Sequence, residues 1–191
     1  TAIVPFAAQG PAAKLQALAD ERMRPERVVT FPASSAVGEV KLRQLPGRAL
    51  GAYVWAAGME LACYLERRYE GRLAGLRVLE LGSGTGLTAI ALARLGARVT
   101  ATDLLPELVA LAEENARGAG LRPGRCTSVA FAWGEALRGQ LLAPFDLVVG
   151  CEITYNEGGF QPLVKTLRDL CETADRLPPA VLLAETLRNA R

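Results

Sequence analysis

Histidine is absent from the 191 residues. That removes Ser-His-Asp catalysis, a Cys-His dyad and histidine-ligated zinc together. Proton handling falls to Glu, Asp, Tyr or a substrate, and no metal site is expected. Cysteine is sparse: Cys63, Cys126, Cys151 and Cys171 are scattered without a CxxC pair. At this length the pattern favours reduced core or site thiols over a disulfide framework. The expected compartment is the cytoplasm, with nucleus and organelle matrix left open. No apolar run approaches the roughly 20 residues of a membrane span. The net charge is only +2, so no strong field of one sign recommends nucleic acid or membrane as a partner. The chain starts at Thr1 rather than Met. The natural N-terminus is therefore expected to be trimmed, and a cleaved targeting peptide stays open.

Half of the residues are apolar and 22% are charged, as in ordinary globular proteins. One domain is expected over residues 1–191, an extension over 1–70 joined to a core over 75–191. Within the extension, residues 1–13 read as a loose lead-in and 14–23 as a short helix stopped by Pro25. Residues 28–31 and 37–45 read as the two strands of a hairpin. Residues 51–69 carry helical spacing, with Val54, Gly58, Leu61, Ala62 and Leu65 on one face and Trp55 near the start.

From residue 77 onward, strands and helices alternate. Strands are predicted over 77–81, 98–102, 126–131, 145–150 and 180–184. Helices are predicted over 87–95, capped by Gly96, over 106–117 with Pro106 in its first turn, and over 160–170. A short helix-like stretch precedes Leu142. Alternation of this kind requires right-handed crossovers and yields a parallel sheet covered on both faces. The predicted fold is α/β, a doubly wound sheet of core strand order 3-2-1-4-5. A ligand should then sit where the order reverses, at residues 80–86 and 150–155.

The stretch Val78-Leu79-Glu80-Leu81-Gly82-Ser83-Gly84-Thr85-Gly86-Leu87 is a strand feeding a glycine-rich turn and a helix N-terminus, the outline of a nucleotide-cofactor site. Its spacing is G-x-G-x-G, whereas dinucleotide sites use G-x-G-x-x-G; Leu87 stands where the third small residue belongs. Asp103, ending the second core strand, can accept hydrogen bonds from two ribose hydroxyls. Alternatively, it caps the helix that follows. A tight turn with no ligand is the corresponding alternative for the glycine loop.

Glu80-Leu81-Gly82-Ser83-Gly84-Thr85-Gly86 with Asp103 resembles the class I, seven-strand S-adenosylmethionine-dependent methyltransferases. More narrowly, Gly51-Ala52-Tyr53-Val54-Trp55-Ala56-Ala57-Gly58 is similar to the V-W-x-A-G entry of the family 16 protein methyltransferases, chiefly lysine methyltransferases. Trp133-Gly134, Phe145-Asp146-Leu147-Val148 and Glu152-Ile153-Thr154-Tyr155 follow in that family's order, the last in place of its D/E-x-x-Y motif. The resemblance covers about residues 37–187.

The resemblance implies S-adenosylmethionine as cofactor, S-adenosylhomocysteine as product, and a protein substrate bearing an acceptor lysine. It implies a Rossmann-like methyltransferase sheet. Gly82, Ser83, Gly84, Thr85 and Gly86 would hold the methionine moiety with Glu80, and Trp55 would close over it. Asp103, with Leu104 beside it, would take the ribose, and Trp133 would border the adenine. Cys151 would form a small wall of the pocket, since no histidine exists to activate it. Glu152 and Tyr155 would face the acceptor amine, Glu152 as an orienting hydrogen-bond acceptor and Tyr155 as a ring facing a cation. Most members carry Asp where this chain has Glu152. The family usually adds a helix and hairpin after the fifth strand; here the chain stops at Arg191. The hairpin is thus expected to be absent, the fifth strand to be an exposed edge, and the sequence to be incomplete. A monomer is expected. The rival readings are a non-catalytic S-adenosylmethionine-binding module, which an activity assay separates, and a nicotinamide-dependent oxidoreductase, which the glycine spacing disfavours.

Overall fold

A computed structural model describes residues 19–70, 72–172 and 177–186. The lead-in and the first part of the predicted 14–23 helix lie outside these residues. Two antiparallel strands, β1 (Glu26–Thr30) and β2 (Glu39–Arg43), pair with Val29 opposite Val40. Their inward residues Val29, Val40 and Leu42 are buried while the alternate positions face out, as period-two patterning requires.

Helix α1 (Ala56–Tyr69) begins five residues later than the predicted 51–69. Leu50–Ala52 instead form one tight helical turn, and Trp55 precedes α1 in extended conformation. The cause is side-chain capture of the backbone: the Val54 N–H donates to Gln44 Oε1 at 2.8 Å, which holds the chain extended there.

The core then runs β3 (Arg77–Leu81), α2 (Leu87–Arg94), β4 (Arg98–Asp103), α3 (Pro106–Gly118), β5 (Cys126–Ala130), β6 (Leu147–Cys151), α4 (Phe160–Glu172) and β7 (Ala180–Ala184). The five core strands are parallel, in the order β5-β4-β3-β6-β7. In core-strand numbering this is the predicted 3-2-1-4-5. The helix-like stretch before Leu142 is a single turn, Gly139–Leu142. Gly96 follows α2 at φ 96, the left-handed position of a C-terminal cap.

Alternation along the strands sorts the core into two layers. Val78, Val99, Ala101, Leu147 and Val149 pack with Leu61 and Leu65 of α1 and Ala89 and Leu92 of α2. Leu79, Leu81 and Val148 point the other way, onto Leu163 and Leu170 of α4 and Leu141. Helix α2 is buried at every position from Leu87 to Ala93. The hairpin explains this, because Val29, Val40 and Leu42 cover the side of α2 that carries Ile90 and Ala91. A helix apolar all round is one enclosed all round. At the far edge, Val181 and Leu183 of β7 remain partly exposed.

Candidate active site

The strand order reverses between β3 and β6, and a cleft of about 530 Å³ opens at their C-terminal ends. That volume suits a cofactor-sized ligand. Its floor is the glycine loop. The Ser83 N–H donates to Thr102 O at 2.8 Å, and the Gly86 N–H donates to Ser83 O at 2.8 Å, closing the turn. Gly84 (φ 51) crosses the Leu50–Ala52 turn so closely that a Cβ there would lie 2.5 Å from the Gly51 carbonyl oxygen. Only glycine combines that backbone angle with that approach.

Asp103 ties the loop to its neighbour strand. Its Oδ2 accepts the Gly84 N–H at 2.9 Å and its Oδ1 accepts the Leu105 N–H at 3.2 Å. Helix α3 itself has Leu105 as N-cap and no side-chain cap, so Asp103 orders the entry to α3 without capping it. Burial raises its pKa, and hydrogen bonds from the Gly84, Leu105 and Leu104 backbone oppose the rise.

Glu80 lies beneath the loop, 2% exposed. Burial pushes its pKa up to about 8, against hydrogen bonds from the Thr88 side chain and the Ala89 backbone in the first turn of α2. Its Oε2 is buried without a hydrogen-bond partner, as is Ser83 Oγ, and both residues line the cleft. Buried polar atoms left unsatisfied are rare enough to need a cause. A polar ligand in the cleft supplies one.

Trp55 and Trp133, the two tryptophans of the chain, both line the cleft. The Trp55 indole N–H donates to Leu50 O at 3.0 Å, and Arg22 lies 4.4 Å from its ring centroid. Trp133 packs over the loop, 3.7 Å from where a Gly82 Cβ would stand. Leu104 is exposed at the rim, and Cys151 lines the wall with its pKa pushed up to about 12 by burial. A thiol so held stays protonated and inert.

Glu152 leaves β6 at φ 55, one of two non-glycine residues with positive φ among those described. Its Oε1 accepts hydrogen bonds from the Thr186 N–H at 3.0 Å and from the Thr186 hydroxyl. Tyr155 also lines the cleft and is 63% exposed. Of the residues singled out in the sequence, Gly86 alone does not reach the cleft wall; it packs against Ala112 of α3. Among the described residues, the cleft is lined by the carboxyl groups of Glu80, Asp103 and Glu152 and by no Lys or Arg. Such a site favours a cation. No group of three metal-ligating side chains occurs among the described residues.

Four further residues outside the candidate site set hold the site. Asn115 Nδ2 donates to Thr85 O at 2.9 Å and to Arg43 O at 3.0 Å, and its Oδ1 accepts the Arg43 N–H at 2.8 Å. Gln44 Nε2 donates to Glu21 O and Arg24 O while its Oε1 holds Val54. A signal existed for both. Asn115 stands on the buried stripe Leu108, Leu111, Ala112, Asn115, Ala116 of α3, and Gln44 continues the inward series Val40, Leu42. Gly51, whose own Cβ would meet Leu108 at 2.8 Å, opens the Gly51–Gly58 stretch that resembles the family's entry motif, while Glu185 carries no comparable local signal.

A family model described as lysine methyltransferase matches residues 36–190. The chain belongs to this family. It is 36% identical over 157 residues to protein N-lysine methyltransferase METTL21A of Mus musculus, covering 80% of this chain and 68% of that protein. It is 37% identical over 137 residues to EEF1A lysine methyltransferase 3 of Mus musculus, covering 70% and 57%. Histone-arginine methyltransferase METTL23 of Xenopus laevis is 32% identical over 168 residues, covering 81% and 67%. The chain thus spans 57% to 68% of the length of these relatives. Its fold is similar to a SAM-dependent methyltransferase from Agrobacterium tumefaciens (TM-score 0.61, 19% identity, 87% of this chain and 55% of that one). A T. thermophilus 16S rRNA N2 G1207 methyltransferase shares it too (TM-score 0.59, 23% identity, 76% and 39%).

The methyl donor of this family is S-adenosylmethionine, and the cleft residues fit it. The unpartnered Glu80 Oε2 and Ser83 Oγ suit the polar amino-acid end. At Gly82 and Gly84 a Cβ would collide with Ile153 and with the Gly51 carbonyl, so the loop keeps its tight course along the cleft only with glycine there, and the Asp103 carboxylate suits a pair of hydroxyls.

Proposed function

We propose that this protein is an S-adenosylmethionine-dependent protein-lysine N-methyltransferase. The observation that carries the proposal is the cleft at the β3/β6 switch point, where buried Glu80 Oε2 and Ser83 Oγ lack partners and the Asp103 and Glu152 carboxyl groups stand on the wall. Family membership supports the same reading, as do the relatives named for lysine methylation.

When bound, S-adenosylmethionine supplies an electrophilic methyl on a positively charged sulfur. Glu80 and Ser83 would hold the amino-acid end, Asp103 the ribose, and Trp133 the adenine, while Trp55 shields the methionine moiety from water. Tyr155 and Glu152 would receive the acceptor side chain at the mouth. A lysine amine is nucleophilic only when neutral, and its ordinary pKa is about 10.4. A carboxylate nearby raises that value, so Glu152 acts by orienting the amine rather than by drawing off its proton. Alignment then supplies most of the acceleration.

We further propose that the hairpin extension and the sheet act as one domain, that the chain works as a monomer on a protein rather than a nucleic acid, and that it resides in a reducing compartment such as the cytoplasm. Four cysteines without disulfides and a small net charge support this. Among the described residues no helix is long and apolar enough to cross a membrane. A guanidinium acceptor is the second reading, favoured by the relative named as a histone-arginine methyltransferase. Calorimetric titration with S-adenosylmethionine, S-adenosylhomocysteine and NADH tests the cofactor: binding of the first two and not the third is expected. Fragment mass spectrometry of protein methylated in an extract then assigns the acceptor nitrogen.

A further inference from the structure

Glu152 adopts a left-handed backbone conformation that a non-glycine residue keeps only where its surroundings impose it. The surroundings here come from three consecutive residues at the end of β7. The Glu152 N–H donates to Ala184 O at 2.9 Å. The next two backbone N–H groups, of Ile153 and Thr154, both donate to Glu185 Oε1, at 2.9 and 3.0 Å. In return Glu152 Oε1 accepts from the Thr186 N–H and hydroxyl. Two carboxylates thus cross between neighbouring strand ends, one reaching each way.

We infer that Glu185 is a positioning residue for the acceptor side of the cleft, clamping the Glu152–Tyr155 segment through the Ile153 and Thr154 amides. The inference rests on the methyl-transfer reading only for its catalytic consequence. Ile153 is buried under the glycine loop, its Cγ2 lying 2.7 Å from where a Gly82 Cβ would stand. The clamp therefore fixes the depth of Glu152 relative to the loop. Glu185 itself is absent from the cleft wall, so its effect should fall on transfer and leave cofactor binding unchanged.

The test compares Glu185→Ala and Glu185→Gln with the parent chain in three measurements. These are hydrogen exchange at the Ile153 and Thr154 amides, S-adenosylhomocysteine affinity by tryptophan fluorescence, and transfer of labelled methyl into extract proteins. Glu185→Ala should speed exchange at both amides and slow transfer roughly tenfold, with affinity within about twofold. Glu185→Gln keeps an acceptor oxygen and should restore both. Unchanged exchange in Glu185→Ala overturns the clamp, and so does affinity falling in step with transfer, which marks general collapse of the cleft. Should Glu185→Ala not fold, Glu185→Asp keeps the charge and withdraws the carboxylate by one methylene from the Ile153 and Thr154 amides. It should then speed exchange at both amides and slow transfer with affinity unchanged; parental exchange would contradict the assignment. A parent chain that transfers no methyl refutes the activity reading instead, and the exchange data still judge the clamp.

Discussion

The backbone of Gly84 passes so close to that of Gly51 that a Cβ on Gly84 would stand 2.5 Å from the Gly51 carbonyl oxygen. The cofactor loop and the turn that delivers Trp55 are therefore packed main chain to main chain. Neither glycine explains the other in sequence, since they lie 33 positions apart. Gly84→Ala combines that clash with a left-handed φ of 51. It should cost about 2 kcal/mol or more of stability and weaken cofactor binding at least roughly tenfold. Thermal melts and calorimetry with S-adenosylhomocysteine check both.

Asn115 makes three hydrogen bonds that join β2, the glycine loop and α3. Asn115→Ala leaves the Thr85 and Arg43 carbonyls and the Arg43 N–H without their partner. Stranding buried polar groups costs about 1–3 kcal/mol, so the variant should unfold at lower denaturant. Asn115→Asp keeps the acceptor but sets a carboxylate against the Thr85 and Arg43 carbonyl oxygens, so at neutral pH it should be no more stable than Asn115→Ala.

Glu80 supplies a pH signature. Its pKa of about 8 lies above the ordinary 4.5, so the folded chain holds this proton more tightly than the unfolded one. Stability from this group is therefore greatest below pH 4.5, declines as pH rises, and is lost by the time the folded pKa is passed. Glu80→Gln removes the slope and should melt roughly 3 °C or more above the parent at pH 8, while binding the cofactor more weakly. A ligand ammonium beside Glu80 favours its ionised form. Cofactor binding at pH 7 should accordingly release protons in the parent and fewer in the variant, read by calorimetry in buffers of different ionisation enthalpy.

Much of this was legible in the sequence because it is encoded locally. The strand order follows from alternation and the handedness of crossovers, and the glycine loop and Asp103 lie at successive strand ends. Helix α1 starts later than the helical spacing predicts because Val54 is held extended by Gln44, ten residues earlier, an interaction no helical period reveals. Gly86 sits in the loop motif yet turns to Ala112, since motif spacing does not say which way a turn faces. Glu185 carries no sequence signal because its meaning depends on β6 and β7 being neighbours, which brings it to Ile153 from 32 positions away.

Asp103 is the residue on which loop geometry and the proposed ribose contact converge. Asp103→Ala removes the acceptor of the Gly84 and Leu105 N–H groups together with the carboxylate assigned to the ribose. Affinity for S-adenosylmethionine should drop by roughly a hundredfold, and that of Asp103→Asn, which keeps one acceptor oxygen, by less. Equal affinities in all three chains would remove Asp103 from the site.

The central claim is transfer of a methyl group to a protein amine from this cleft. The direct measurement incubates the chain with labelled S-adenosylmethionine and a protein extract, beside Asp103→Ala and Glu152→Ala. The expected result is label on lysine of a discrete protein with the parent chain. Asp103→Ala should lose the label through cofactor binding, and Glu152→Ala should bind cofactor normally yet transfer slowly. Tight cofactor binding with no label, or equal labelling by all three chains, would contradict the account.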